Sequence, residues 1–188
     1  MQFRNFLFTL NFDSSQTLYQ SGKVSTENIV FQNLVPIGDN SVYINLDNKT
    51  RLRKKQIREN TVFISDTMNN IRWKLTDERR QIAGFDCKRA NAIIMDSIYV
   101  VAYFSEEILV EGGPESFCGL PGMILGVALP QEHITWFATK VSVAETTELA
   151  QPSPKQKIIS ANEFKQIVKQ NFNPFDETDN WYYKFSLL

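Results

Sequence analysis

The chain has 188 residues, of which 22% are charged, and its 20 lysines and arginines nearly cancel its 21 aspartates and glutamates. This length is close to the usual size of one domain, so a single domain over residues 1–188 is predicted. Balanced charge provides no strong field for nucleic acid or an anionic membrane, and neither is expected as a partner. No stretch approaches the roughly 20 consecutive apolar residues of a membrane-spanning helix, so the chain is not expected to span a membrane.

Short strands dominate the first half of the chain. From Arg4 to Phe12 the even positions carry the large apolar residues Phe6, Phe8, Leu10 and Phe12, and this period of two predicts a half-buried strand. Further strands, separated by turn residues, are predicted at Asn28–Phe31, Ser41–Leu46, Leu52–Ile57, Thr61–Ser65 and Ile71–Leu75. Short strands at such close spacing favour antiparallel pairing.

Two hairpins are predicted in the second half. Ile82–Ala92 pairs with Asp96–Phe104, whose two faces are both apolar, as is typical of a central strand. The other hairpin pairs Ile124–Leu129 with His133–Val143. A loop follows over residues 144–159.

A helix is predicted near the end of the chain. Ser160 and Glu163 have the spacing of a capping box, and apolar residues at helical spacing follow over Ala161–Gln170. An aromatic segment, docked or strand-like, closes the sequence. The expected fold is therefore mainly β: a curved antiparallel sheet, half-barrel or sandwich-like, with one C-terminal helix. Its parts are a β core (1–143), a loop (144–159) and a helix with an aromatic C-terminal segment (160–188).

A basic run extends from Arg51 to Arg58. Such a run could contact a polyanion, but it is more typical of a solvated, charge-protected strand edge or hairpin. The second interpretation is preferred because basic residues reach this density nowhere else in the chain.

Residues suited to catalysis or metal binding are few. The only histidine is His133, in a predicted surface turn, and the only cysteines are Cys87 and Cys118. A Cys–His dyad requires only that two side chains meet in space, but nothing local marks either cysteine as activated. No short ligand spacing and no Gly-Lys-Ser/Thr motif is present, so no metal and no cofactor are predicted.

The most distinctive segment is a glycine- and proline-rich loop from Gly112 to Ile124. Glycine permits positive φ or close backbone approach, whereas proline fixes φ, so the loop is expected to be stiff. One interpretation is a rigid interaction surface, because a stiff surface loses little entropy on binding. The other is a structural buttress, in which Phe117, Leu120 and Met123 plug the core.

Two features accompany this loop. Cys118 lies within it and Cys87 in a predicted strand, so the pair permits one disulfide, while in a reducing environment each is a small buried hydrophobic residue. Four carboxylates form an acidic rim, interpreted either as an ordinary solvated edge or as a cation site with oxygen ligands. They are Glu106, Glu107, Glu111 and Glu115.

Several spaced motifs resemble the GLPGLI family. They are Trp73–Leu75, Ile82–Ala90, Tyr103–Ile108 and Gly113–Leu125. The hexapeptide that gives the family its name occurs here as GLPGMI at Gly119 to Ile124, with Met123 in place of leucine. The similarity covers roughly Phe6 to Val143, and several agreeing motifs make chance a poor explanation.

The resemblance implies a place in the cell but no reaction. GLPGLI proteins are typically exported by Gram-negative bacteria to the periplasm or outer membrane, are often considered alongside TonB-dependent transport, and have no established biochemical function. The family's usual signal segment and first strand are absent here, and Met1 is interpreted as a start placed after them.

The preferred prediction is an exported, non-enzymatic binding or accessory domain with an outer-membrane protein or a peptide as partner. Its predicted binding residues are Glu106, Glu107, Glu111, Gly113, Pro114, Phe117, Gly119, Leu120, Pro121 and Gly122. One alternative is a periplasmic carrier holding an apolar ligand in a cavity of the curved sheet. Another is an enzyme that uses Cys118 with His133.

Overall fold

The computed structural model describes residues 5–22, 40–68, 70–144, 149, 151–154, 156–172, 183–184 and 186–188. The strands, in chain order, are β1 (Phe8–Phe12), β2 (Gln16–Ser21), β3 (Ser41–Asn45), β4 (Thr50–Ile57), β5 (Asn60–Thr67), β6 (Lys74–Ile82), β7 (Phe85–Ile94), β8 (Ile98–Ser105), β9 (Met123–Leu129), β10 (Ile134–Phe137) and β11 (Ile158–Ser160). A helix, α1 (Ala161–Asn171), follows β11. The predicted mainly β fold with a C-terminal helix is confirmed.

The described residues divide into two compact units, one within 1–11, 16–67 and 150–188, the other within 12–15 and 68–149. The described residues form two sheets. Whether the chain forms the predicted single domain, with its β core, loop and C-terminal parts, stays a prediction.

The first unit contains a six-stranded sheet in the order β1-β2-β3-β4-β5-β11. Strands β2 to β5 pair antiparallel, whereas β11 runs parallel to β5. Strand β2 was not predicted, because its buried face combines Tyr19 with a polar residue, Thr17, and this conceals the alternation. The predicted strand Asn28–Phe31 lies outside the described residues.

Helix α1 begins with the predicted capping box. The Ser160 hydroxyl accepts a hydrogen bond from the Glu163 N–H (3.2 Å), and the Glu163 carboxylate accepts one from the Ser160 N–H (2.8 Å). The Ser160 hydroxyl also donates to the Glu163 carboxylate (2.9 Å). The two bonds that this carboxylate accepts, the one from the Ser160 backbone N–H first, lower the pKa of Glu163. The helix therefore starts where the sequence predicts and ends one residue later.

The buried face of α1 packs on the sheet through Phe164 and Val168, which join Ile57 and Ile64 in one apolar cluster. Part of the predicted aromatic segment docks there too, because Tyr183 and Leu187 pack against this cluster. Both residues are in short helical stretches, so the strand-like alternative does not apply to them. Residues 181, 182 and 185 lie outside the described residues.

The basic run forms β4, which lies between β3 and β5 and is therefore not an edge. The prediction of a solvated run is wrong, since Arg51, Arg53 and Lys55 are 3%, 4% and 1% exposed. The run does form one arm of a hairpin with β5, as expected. Alternation explains the burial, because these three residues share the face of β4 that also carries Ile57.

The second unit contains a five-stranded antiparallel sheet in the order β10-β9-β8-β7-β6. Strand β8 is central, as its two apolar faces predicted. The predicted strand Ile82–Ala92 is corrected to the end of β6, a turn and β7. Ala83 and Gly84 have φ values of +50° and +89°, which makes a tight turn between the two strands.

Strand β6 was missed except at its ends. It begins at Lys74, so most of the predicted strand Ile71–Leu75 precedes it. Its exposed residues are mainly polar, because it is an edge strand with little to bury on either face.

The sheet of the second unit is curved, as predicted. An added Cβ on Gly126 of β9 would lie 2.9 Å from Cδ1 of Ile82 on β6, three strands away. In a flat sheet, strands spaced by about 4.8 Å would put these positions roughly 14 Å apart. Side chains from an edge strand therefore fold back over one face of the sheet.

Candidate functional site

The glycine-rich loop connects β8 to β9, and its backbone closes on itself. The Gly119 N–H donates to the Glu111 carbonyl (3.3 Å), and the Ile124 N–H donates to the Gly112 carbonyl (2.9 Å). These bonds join the two sides of the loop near its base. The stiffness expected from its glycines and prolines is therefore reinforced by cross-loop hydrogen bonds.

Most of the loop is buried against one face of the five-stranded sheet. Phe117 is 2% exposed, and its ring centroid lies 5.9 Å from that of Trp136 on β10. The indole N–H of Trp73 donates to the Cys118 carbonyl (2.9 Å). Leu120 and Met123 are also buried. The burial of these residues agrees with the buttress interpretation, in which Phe117, Leu120 and Met123 plug the core.

Gly122 is the position where the loop depends on glycine most strongly. Its φ is +147°, and an added Cβ would lie 2.2 Å from the Ser105 carbonyl oxygen at the end of β8. Gly119 has a φ of +86° but no neighbouring atom within 4 Å of an added Cβ. At Gly122 the loop requires glycine because a side chain would have no space. At Gly119 it favours glycine only because of the backbone conformation.

The predicted binding residues separate into two groups. Five are exposed: Glu106, Glu107, Glu111, Gly119 and Pro121. Five are buried: Gly113, Pro114, Phe117, Leu120 and Gly122. In this conformation the buried group can hold the shape of the loop but cannot contact a partner directly. Glu115, predicted as part of the acidic rim, is also buried, with 1% exposed.

The exposed end of the acidic rim is not purely acidic. Lys88 Nζ lies 2.6 Å from Glu106 Oε2, and the Asp86 N–H donates to Glu107 Oε1 (3.2 Å). Arg79 forms an ion pair with Asp86. These residues line a concavity of about 250 Å³, which we call the charged groove: Arg79, Asp86, Lys88, Glu106 and Glu107. The sequence missed its cations because they come from β6 and β7, remote from the rim along the chain.

Cys87 and Cys118 are both buried, and they form no disulfide with each other. The disulfide that the sequence permitted is therefore absent, and the alternative of two small buried hydrophobic residues applies. Burial has the largest effect on the Cys87 thiol, and together with the negative charges of Asp86 and Glu107 it raises the pKa to about 11. Cys87 is consequently a poor nucleophile.

Thiol titration should distinguish two buried thiols from a disulfide. At pH 8 the native protein is expected to react negligibly with a disulfide reagent, since with a pKa of about 11 only about one Cys87 in a thousand is a thiolate. After unfolding in guanidinium without reductant, two thiols per chain should react. A lower count that reductant restores to two would show a disulfide.

Because the pKa of Cys87 is higher in the folded than in the unfolded state, the free energy of unfolding should fall as the pH rises from about 9 toward 11.

His133 lies where the sequence predicted, in the surface turn between β9 and β10. It is exposed and has a φ of +55°. Cys118, its partner in the enzyme alternative, is buried. Over the described ranges no three His, Cys, Asp or Glu side chains gather closely enough to hold a metal ion. Within the same part of the chain, no helix has the length and apolar character to cross a membrane.

Comparison with known proteins agrees with this picture of a β fold built around the loop. Residues 92–126, which include the whole loop, match a family described as a protein of unknown function (Porph_ging). Two solved structures of PNGF-II are similar to the chain. One, in space group C2, has 19% identity and a TM-score of 0.58 and covers 85% of this chain and 29% of that one. The other, in space group P21, has 18% identity and a TM-score of 0.57, and it covers 87% of this chain and 29% of that one.

At such identity the likeness to PNGF-II shows the fold alone. The chain spans less than a third of the length of PNGF-II, so it corresponds to one part of that protein. No curated protein matches the sequence.

Proposed function

We propose that the protein is an exported, non-enzymatic binding or accessory domain whose interaction surface is the charged groove and the exposed edge of the glycine loop. The observation that carries this proposal is the arrangement of both charge signs around one concavity beside a buried, cross-bonded loop. A segment of a partner protein that bears basic and acidic side chains is the ligand such a groove suits best.

The ion pairs of the groove can be replaced by pairs with a ligand. Arg79, Asp86, Lys88 and Glu106 have exposed side-chain fractions of 58%, 41%, 36% and 46%. Exposed pairs contribute only about 0 to 1 kcal/mol to stability, so breaking them to bind a ligand costs little. Both pairs link neighbouring parts of the fold, which holds the charges in place before a ligand arrives.

The frame beneath the groove supports the same proposal. Glu106 follows β8 directly, and Gly122 packs against the carbonyl of Ser105, the residue before it. The loop thereby sets the position of the strand end that presents Glu106 and Glu107. A preorganised surface of this kind loses little entropy on association.

The cellular part of the proposal rests on the family resemblance. The GLPGLI-like motifs support an exported protein of the periplasm or outer membrane, and the match of residues 92–126 to a family of unknown function covers the same loop without indicating a location. An outer-membrane protein, including one of a TonB-dependent transport system, or a peptide is the partner we propose. The carrier alternative has less support. The groove is lined by charged residues. A second concavity in the first unit, of about 280 Å³, is lined mostly by polar residues, together with Leu52, Phe63 and Pro152, and both are small for an apolar ligand.

The experiment compares partners captured from a cell-envelope extract. The bait proteins are the unaltered chain, the double variant Glu106→Gln with Glu107→Gln, and the control Glu59→Gln, which alters an exposed glutamate in the β4–β5 turn of the other unit. The control should recover every partner, and the double variant should recover at least tenfold less of each. Equal recovery by a folded double variant would exclude the groove as the surface.

A further inference from the structure

On the concave face of the five-stranded sheet, an arginine lies against two aromatic rings. The guanidinium carbon of Arg80 is 4.9 Å from the ring centroid of Phe137 and 5.7 Å from that of Tyr103. The two rings are themselves 6.3 Å apart and tilted by 38°. A guanidinium over aromatic faces at these distances is held by cation–π attraction.

The strand register explains how the rings meet. Tyr103 of β8 and Phe137 of β10 both pair with Gly126 of β9, so all three residues share one face. An added Cβ on Gly126 would lie 2.6 Å from Cε1 of Phe137, which shows that the ring covers the glycine. The missing side chain lets the Phe137 ring lie against the sheet, where Arg80 reaches it from β6.

The charges nearby leave Arg80 without a counter-ion. Of the adjacent cations, Arg79 is paired with Asp86, and Arg89 is paired with Glu78. Within the part of the chain that the structure describes, the Arg80 guanidinium forms cation–π contacts with the two aromatic rings and no ion pair with a carboxylate. The side chain is exposed, so it is accessible to a ligand.

The two rings lie against the guanidinium, and among the described residues its planar edge has no hydrogen-bond partner. That edge carries N–H groups in a fixed planar fork, which matches the two oxygens of a carboxylate or phosphate group. Because stacking restrains the rotamers of a long side chain, less entropy is lost when the fork binds.

We propose that Arg80, held by Tyr103 and Phe137, is an oxyanion-binding site that takes a carboxylate or phosphate group of a ligand. The site does not depend on the charged groove, because Arg80 and Arg79 are consecutive in β6 and point to opposite faces. Either proposal can therefore fail without the other.

The test follows the arginine side chain directly by NMR in protein labelled with 15N-arginine. The Nε–Hε signals of Arg80 and of the exposed Arg72 are assigned from the variants Arg80→Lys and Arg72→Lys. Sodium acetate and inorganic phosphate are titrated separately, with sodium chloride keeping the ionic strength constant. We expect a saturable shift of the Arg80 signal with at least one of the two anions, and none of Arg72.

Which anion binds identifies the ligand chemistry as carboxylate, phosphate or both. Two variants, Phe137→Leu and Tyr103→Leu, each remove one ring, and each should weaken binding at least threefold while the backbone spectrum remains that of a folded protein. An Arg80 signal that shifts no more than that of Arg72 would overturn the proposal. Unchanged affinity in both folded ring variants would overturn the role of the rings.

Discussion

Replacing Asp66 with asparagine is expected to lower the free energy of unfolding by about 3 to 5 kcal/mol. Asp66 accepts hydrogen bonds from Arg51 Nε (2.8 Å), Arg51 Nη2 (2.9 Å) and Arg53 Nη2 (2.7 Å). Both guanidinium groups are buried, so water cannot hydrate them in place of the carboxylate when it is removed. Asparagine keeps the size of the side chain but removes its charge and one of its two acceptor oxygens, so the loss combines the ion pairs with the hydrogen bonds that carry them.

Urea unfolding measures this effect, with Asp47→Asn as the matched control. Asp47 is exposed in the turn between β3 and β4, and its replacement should change stability by less than about 0.5 kcal/mol. A loss below about 1 kcal/mol for Asp66→Asn would contradict the prediction, because an ordinary exposed ion pair contributes that much to stability.

A second large effect is expected for Gly122→Ala, at roughly 3 to 5 kcal/mol, because positive-φ strain and overpacking add at one position. The new Cβ would lie 2.2 Å from the Ser105 carbonyl oxygen and 2.8 Å from its carbon. These are backbone atoms at the end of a central strand, so neither partner can move without disturbing the sheet or the loop.

Gly119→Ala in the same loop is the control. Gly119 also has a positive φ, of +86°, but a Cβ added there would meet open space. We therefore expect a loss of about 1 to 2 kcal/mol, the cost of a left-handed backbone for an L-residue. Equal losses for the two variants in thermal or urea unfolding would show that backbone conformation alone, and not the contact with Ser105, makes Gly122 necessary.

Local pattern predicted those elements whose side chains clearly divide into buried and exposed faces. β1, the β4–β5 hairpin, the centre of the second sheet and the capped helix were all predictable in this way. The errors have a common physical cause. β2 buries a threonine, and β6 is a polar edge strand that buries almost nothing, so neither shows apolar alternation.

The site was predicted in part. Glycine and proline marked the loop, and its plugging residues were correctly identified. The cations of the charged groove and the stacking of Arg80 were not predictable, because each requires side chains that are brought together by strand register and sheet curvature.

By itself, the sequence determined a mainly β chain with a stiff glycine loop and a capped C-terminal helix, since these depend on backbone propensities and short-range periodicity. The tertiary structure alone decided which charges are buried and which are free to bind. A basic run that suggests solvated charge became the buried face of β4, because helix α1 and C-terminal residues cover that face: Arg53 lies over the Phe164 ring and donates to the Leu187 carbonyl. Asp66 offsets part of the charge of the run. The loop likewise proved to be mostly core, so the surface it supports is made of residues from other strands.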